Sequence, residues 1–136
     1  MALILIADDD RATRDTLVSL LAATGHETHA AASAYELLDL AQQYPQFDLI
    51  LTDLKMPRMD GIQLLEALRR RYPKARVIIM SAFSTADTVV AAMRRGVADY
   101  LQKPFDWAEL QEVLRRALAS PARTSNALQE AAEPDC

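Results

Sequence analysis

Phe47-Asp48-Leu49-Ile50-Leu51-Thr52-Asp53-Leu54-Lys55-Met56-Pro57-Arg58-Met59-Asp60-Gly61 is a short apolar run that ends on an acid and breaks into a turn marked by Pro and Gly. A carboxylate at the end of a buried strand, just ahead of such a turn, stands where an open α/β sheet holds its ligands. Upstream, Leu3-Ile4-Leu5-Ile6-Ala7 is a second apolar run, and it too ends on acids, Asp8-Asp9-Asp10. If the two strands are neighbours, at least three carboxylates converge on one small space. Like charges at that range raise each other's pKa, so the cluster calls for a cation or a captured proton. The pattern points to a divalent metal and to chemistry on one of the acids.

The rest of the chain repeats this alternation. Apolar runs at Leu3 to Ala7, His26 to Ala30 (the weakest), Asp48 to Thr52, Val77 to Met80 and Ala98 to Leu101 are separated by helix-period segments. The first, third and fourth are continuous apolar strands, the kind buried on both faces of a parallel sheet. Leu17, Leu20, Leu21 and Thr24 share a helical face that stops at Gly25. Ser33 is placed to cap a helix carrying Leu37, Leu38 and Ala41, and Asp60 one carrying Ile62, Leu65 and Leu68. Ser84 or Thr85 is placed to cap a fourth, which holds Val89, Val90 and Met93 and ends at Gly96. Asp106 with Glu109 forms a capping box ahead of the stripe Leu110, Val113, Leu114, Ala117 and Leu118. A β-α order of this kind implies parallel strands, right-handed crossovers and helices on both faces.

At 136 residues the chain is expected to form one domain over residues 1–120, with 121–136, rich in Pro, Ala, Ser, Asn and Glu, as a flexible tail or the start of a linker. The net charge of −4 argues against non-specific nucleic-acid binding, which needs a basic footprint. No apolar stretch approaches the roughly 20 residues that span a bilayer, and no signal peptide is evident at the start. The single cysteine, Cys136, has no partner for an internal disulfide. A cytoplasmic location is the expectation. His26 and His29, without a neighbouring Cys, are expected to be packing or surface residues rather than ligands.

Asp8, Asp9 and Asp53 fall at C-terminal strand ends, and so do Ser81, after Val77-Ile78-Ile79-Met80, and Lys103, after Tyr100-Leu101-Gln102. With these residues in that order, the chain resembles the receiver domain of two-component response regulators. The matching pieces are Ile6-Ala7-Asp8-Asp9-Asp10, then Leu51-Thr52-Asp53 through Asp60-Gly61, then Met80-Ser81-Ala82, and Ala98-Asp99-Tyr100-Leu101-Gln102-Lys103-Pro104-Phe105. The match covers residues 3 to about 119. The segment from Ser84 to Tyr100 looks most like the receivers of NtrC-type transcriptional activators.

The resemblance implies a single flavodoxin-like (βα)5 sandwich with sheet order 2-1-3-4-5. It implies that Asp53 takes a phosphoryl group from a sensor histidine kinase or a phosphotransfer protein. Asp8, Asp9, Asp53 and the main-chain carbonyl of Lys55 would serve Mg²⁺, Asp8 through water, and Lys103 would stabilise the acyl phosphate. Mg²⁺ suits such a site because it is hard, prefers oxygen and keeps several waters. Ser81 would move onto the new phosphoryl group and Tyr100 into the space it leaves, switching the face made by the fourth helix, fifth strand and fifth helix. That face would act on a downstream protein or output domain, or pair two copies once phosphorylated. The Lys103-Pro104 bond would be cis, as X-Pro bonds can be. Lys55 and Phe83, two residues after Asp53 and Ser81, cannot orient a water as an amide or carboxylate would, which predicts slow self-dephosphorylation.

Two other readings compete. An Asp-nucleophile phosphatase or phosphotransferase would need a second acid two residues after Asp53, where this chain has Lys55. Turnover of an external substrate is therefore not expected. A phosphorylation-independent interaction domain is the other alternative, and the loss of an acid or of the lysine would favour it, yet Asp8, Asp9, Asp53, Ser81 and Lys103 are all intact.

Overall fold

The computed structural model describes residues 2–82 and 84–119. Five strands alternate with five helices there: β1 (Leu3–Ala7), α1 (Arg11–Ala23), β2 (Glu27–Ala31), α2 (Ala34–Gln43), β3 (Leu49–Asp53), α3 (Gly61–Arg71), β4 (Val77–Ser81), α4 (Ala86–Arg94), β5 (Asp99–Gln102) and α5 (Trp107–Ala119). The strands form one parallel sheet in the order β2-β1-β3-β4-β5. That is the expected fold, and the expected tail, with Cys136, lies outside the described residues, as does Phe83.

Strand alternation divides the core into two layers. Leu5, Ala7, Ile50, Val77 and Ile79 point to one face, where they meet Leu37 and Ala41 of α2, Leu64, Leu65 and Leu68 of α3, and Ala92 of α4. Ile4, Ile6, Leu49, Leu51, Ile78 and Met80 point to the other, against Leu17 and Leu21 of α1 and Leu110, Val113, Leu114 and Ala117 of α5. Strands β1, β3 and β4 are buried throughout, which explains their unbroken apolar text. Removing a fully enclosed side chain such as Leu65 would cost roughly 2–5 kcal/mol.

The caps are those the sequence marks. Ser33 accepts from the Glu36 amide, Asp60 and Gln63 exchange bonds in a capping box, and Asp106 and Glu109 do the same. Thr85 rather than Ser84 caps α4, through Thr88. The Lys103-Pro104 peptide is cis.

Several expectations are corrected. Strand β3 runs to Asp53 and β4 to Ser81, so both polar residues belong to the ladder instead of following it. Strands β2 and β5 sit one residue later than expected. Thr24 is the exposed C-cap of α1, not part of its buried face. Helix α4 differs most: Ala92 is its buried residue, whereas Val90 and Met93 are about half exposed, at 46% and 52%. Periodicity shows which residues share a helical face but not whether anything covers it.

A candidate phosphoacceptor and metal site

The parallel register places the ends of β1, β3, β4 and β5 along one edge of the sheet, where Asp53 and Ser81 close their strands and Asp8, Asp9, Lys55 and Lys103 lie in the turns that follow. Ala7 lies beside Thr52, Asp53 beside Met80, and Ser81 beside Gln102. Asp8, Asp9, Asp53, Ser81 and Lys103 are thus delivered by four different strands. Carboxylate oxygens of Asp8, Asp9 and Asp53 all lie within 4.8 Å of one another.

Asp8 and Asp53 are each held by a nearby main-chain amide. Asp8 is fully buried, and one of its oxygens accepts the Asp10 amide at 2.9 Å. Asp10 itself caps α1, accepting from the backbone and hydroxyl of Thr13. Arg14 of α1 reaches back to donate to the Asp8 carbonyl at 2.8 Å, fastening the β1–α1 turn to the helix that follows it. Asp53 is 8% exposed, and its Oδ1 accepts the Leu54 amide at 2.9 Å. Asp9 is exposed, which leaves one side of the cluster open to water.

Gly61 sits behind Asp53. A Cβ at that position would come within 2.7 Å of the Asp53 carbonyl oxygen and 3.0 Å of the Leu54 Cα, and the Gly61 amide donates to the Leu54 carbonyl at 2.8 Å. The turn can therefore fold back on the strand end only with a bare α-carbon there.

Lys103 is the cation of the site. Its Nζ donates to Asp8 Oδ2 at 2.9 Å and lies 3.6 Å from Asp53 Oδ1. Its amide donates to the Ser81 carbonyl at 2.7 Å, which ties the turn after β5 to the end of β4. Burial works against the ammonium charge, but the bond to Asp8 and the fields of Asp53 and Asp8 together hold its pKa above the ordinary value. Asp53 is pushed the other way for an acid. Burial first and the Asp8 charge second raise its pKa to about 6, with Lys103 and the Leu54 amide opposing.

Three carboxylates, one exposed and two buried, with all-oxygen donors and an open side for water, fit a hard divalent cation that keeps part of its hydration shell. One lysine does not neutralise three acids, and the Asp8 charge adds to burial in raising the pKa of Asp53.

Ser81 is fully buried at the end of β4. Tyr100 is half buried, packs on the core layer that contains Ile79, Ala92 and Val97, and accepts a hydrogen bond from Ser84 Oγ at 3.3 Å. Trp107 is half buried at the start of α5, on the rim of a groove of about 410 Å³ between α1 and the β5–α5 turn. His26 accepts the Ala2 amide, and His29 pairs with Glu27 and stacks on Tyr44, so both pack as expected. Arg14 and the close approach at Gly61 add to the residues the sequence marks. The signal for Gly61 is the Asp-Gly pair at a helix start, while nothing local marks Arg14.

A five-stranded parallel α/β sandwich with an acid cluster, a buried hydroxyl and a lysine along one sheet edge defines a class of small modules with a charged pocket at the strand ends. The family model of the response regulator receiver domain matches residues 4–115. The chain is 42% identical to the DNA-binding transcriptional regulator NtrC of Azospirillum brasilense over 134 residues, which is 98% of this chain and 28% of that protein. It is 43% identical to the response regulator protein FleR of Pseudomonas aeruginosa over 115 residues, covering 85% of this chain and 24% of that one. Among solved structures, a receiver domain protein from Clostridium thermocellum superimposes with a TM-score of 0.82 at 29% identity, covering 87% of this chain and 94% of the other. NtrX from Brucella abortus gives 0.84 at 31% identity, covering 94% of this chain and 29% of that one. The chain belongs to the response regulator receiver domain family of two-component systems, and its relatives are NtrC-type. It spans about a quarter of the length of these curated relatives.

Proposed function

We propose that Asp53 is the phosphoacceptor of this receiver and that its occupancy controls the face made by α4, β5 and α5. The observation that carries the reading is the cluster itself: Asp53 within 4.8 Å of two further carboxylates and 3.6 Å from Lys103 Nζ. Asp8, Asp9 and Asp53, with the Lys55 carbonyl, would hold Mg²⁺. When bound, the ion supplies charge neutralisation and a template for in-line transfer.

The protein's own part follows from its geometry. Asp53, ionised, attacks phosphorus through a carboxylate oxygen. The O–P bond forms as the N–P bond of a donor phosphohistidine breaks, and the imidazole keeps the electron pair and takes up a proton. Lys103, already a neighbour of Asp53 Oδ1, faces the negative charge that arrives with the phosphoryl group. Ser81, at the adjacent strand end, donates its hydroxyl to a phosphoryl oxygen, and Tyr100 packs into the volume the serine leaves. A change of charge at Asp53 becomes a change of packing at β5 and α4. The phosphoryl-specific contacts of Ser81 and Lys103 are what allow the modification to shift a population.

A sensor histidine kinase or phosphotransfer protein in the cytoplasm is the proposed donor. The output is a downstream protein or a further domain, as the length of the relatives accommodates. Among the described residues no helix is long and apolar enough to cross a membrane. Residues 1–120 are the proposed receiver unit, and turnover of an external substrate is not part of the function.

The test is intact mass after incubation with Mg²⁺ and acetyl phosphate, with Asp53→Asn alongside. One added phosphoryl group, absent without Mg²⁺ and absent in the variant, is the expected result. Failure to form both this adduct and a beryllofluoride complex would leave the phosphorylation-independent interaction domain as the reading.

A further inference from the structure

The turn from β1 to α1 is three residues long, Asp8-Asp9-Asp10, and hydrogen bonds tie down the first and third of its acids. The Asp8 amide donates to the Ala31 carbonyl of β2 at 3.1 Å. Asp8 Oδ1 accepts the Asp10 amide at 2.9 Å, and Oδ2 accepts Lys103 Nζ at 2.9 Å. Asp10 Oδ2 accepts the Thr13 amide at 3.0 Å and the Thr13 hydroxyl at 2.6 Å, which starts α1. Asp9 is the exception. It is exposed, and among the described residues its carboxylate has no hydrogen bond or ion pair, although one of its oxygens lies within 4.8 Å of those of Asp8 and Asp53.

Asp9 is therefore placed through its main chain. The atoms from the Asp8 Cα to the Asp9 Cα share one peptide plane, so whatever fixes the Asp8 carbonyl oxygen also fixes the plane from which Asp9 hangs. That oxygen accepts Arg14 Nη1 at 2.8 Å. Arg14 is half buried on the first turn of α1, and its own amide donates to the Asp10 carbonyl at 3.0 Å. Leu17 and Leu21 seat the same helix in the core, so the guanidinium reaches back from a rigid base. Charge gives no reason for an arginine here. A positive group at the edge of a cation site weakens binding by its field, so what Arg14 contributes is geometry.

We propose that Arg14 is a positioning residue for metal binding: it fixes the Asp8–Asp9 peptide and so holds the exposed Asp9 carboxylate beside Asp8 and Asp53. The inference deepens the proposed function and rests on its reading of the three acids as a metal site. Arg14 acts only through the main chain, since its bond is to a carbonyl and not to a carboxylate. Loss of a contact one step behind a metal ligand weakens metal affinity about 10–100-fold. Loss of the charge alone would tighten it. The two effects differ in sign, so the direction of the change tells them apart.

Titration of the full chain with Mn²⁺, followed by electron paramagnetic resonance, tests the role, together with backbone NMR order parameters of the metal-free proteins. Arg14→Met keeps an apolar stem and removes the donor. It is expected to weaken Mn²⁺ binding about 10–100-fold and to lower the order parameter at Asp9, while residues 3–7 and 15–23 keep theirs. Arg14→Lys, which retains the charge and a donor, is expected to recover most of the affinity. In an Asp9→Asn background, Arg14→Met is expected to have no further effect, because both changes act on the same ligand. Unchanged or tighter Mn²⁺ binding in Arg14→Met, or full additivity with Asp9→Asn, would overturn the inference. Should Arg14→Met fail to fold, Arg14→Gln, polar but too short to reach the carbonyl, is expected to show the same weakening and decides in its place. A wild-type chain that takes up no Mn²⁺ would sink the metal reading of the cluster and this inference with it, whereas normal uptake by both wild type and variant would overturn the role of Arg14 alone.

Discussion

At Asp53 the fold works against an ionised side chain. Burial and the Asp8 carboxylate raise its pKa from 3.8 to about 6, so over that interval the folded protein holds a proton that the unfolded chain has released. Stability therefore falls as pH rises from about 4 to about 6, and the contribution is fully present only below the unfolded value. The rise corresponds to on the order of 3 kcal/mol. Without metal, the protein is expected to melt at a lower temperature at pH 7.5 than at pH 5 as far as this group decides. Asp53→Asn should flatten that slope and stabilise the metal-free protein at neutral pH. Mg²⁺ should restore stability in the wild type at pH 7.5, by about 2.7 kcal/mol at a hundredfold excess over its dissociation constant, and do little at pH 4. Thermal melts of both proteins across pH, with Mg²⁺ and with EDTA, check this. Equal pH slopes in the two would show that Asp53 does not carry the effect.

The turn between β3 and α3 is where element geometry becomes site geometry. Asp60→Ala removes the α3 capping box and should cost about 1 kcal/mol while leaving phosphorylation of Asp53 intact. Gly61→Ala, one residue on, should be worse in both respects. Its methyl would press on the Asp53 carbonyl and the Leu54 Cα, backbone atoms that cannot swing aside, at a cost of about 1–3 kcal/mol. The strand end must then shift, and phosphorylation by acetyl phosphate should slow. Equal phosphorylation rates in the two variants would mean that the turn absorbs the strain without moving Asp53. These elements show what a sequence makes legible. Asp60, Ser33 and Asp106 act through neighbours three residues away, so their caps are readable in the text. The acid cluster was readable too, because each acid closes a continuous apolar run and the parallel sheet brings those ends together. Arg69 was not, since it reaches Arg95 and Gly96 across 26 and 27 positions with no periodic signature. The exposure of Val90 and Met93 was hidden for a related reason: they lie on an apolar face that nothing among the described residues covers.

For the whole molecule, that uncovered face meets a net charge of −4. Val90 and Met93 on α4 are apolar, while Asp99 of β5 and Arg116 of α5 form an ion pair at 2.9 Å between the neighbouring elements. Two exposed apolar side chains are far from the roughly 1,200–2,000 Å² that a stable interface buries, and like-charged copies repel. The resting chain is therefore expected to be a monomer, more weakly self-repelling as salt is added. Movement of α4 would change which surface it offers, and pairing of two copies through α4, β5 and α5 becomes the expected consequence of phosphorylation. Sedimentation velocity should show a monomer at rest and a dimer with Mg²⁺ and beryllofluoride. Met93→Glu should abolish the dimer while leaving beryllofluoride binding unchanged, because the residue lies on the exposed face of α4 and not among the acids. A protein that stays monomeric in both states would exclude self-pairing through this face and assign its switched form to a different partner. A dimer that survives Met93→Glu would place the contact elsewhere on the molecule, and the charge at position 93 would then be felt only as an added repulsion that salt removes.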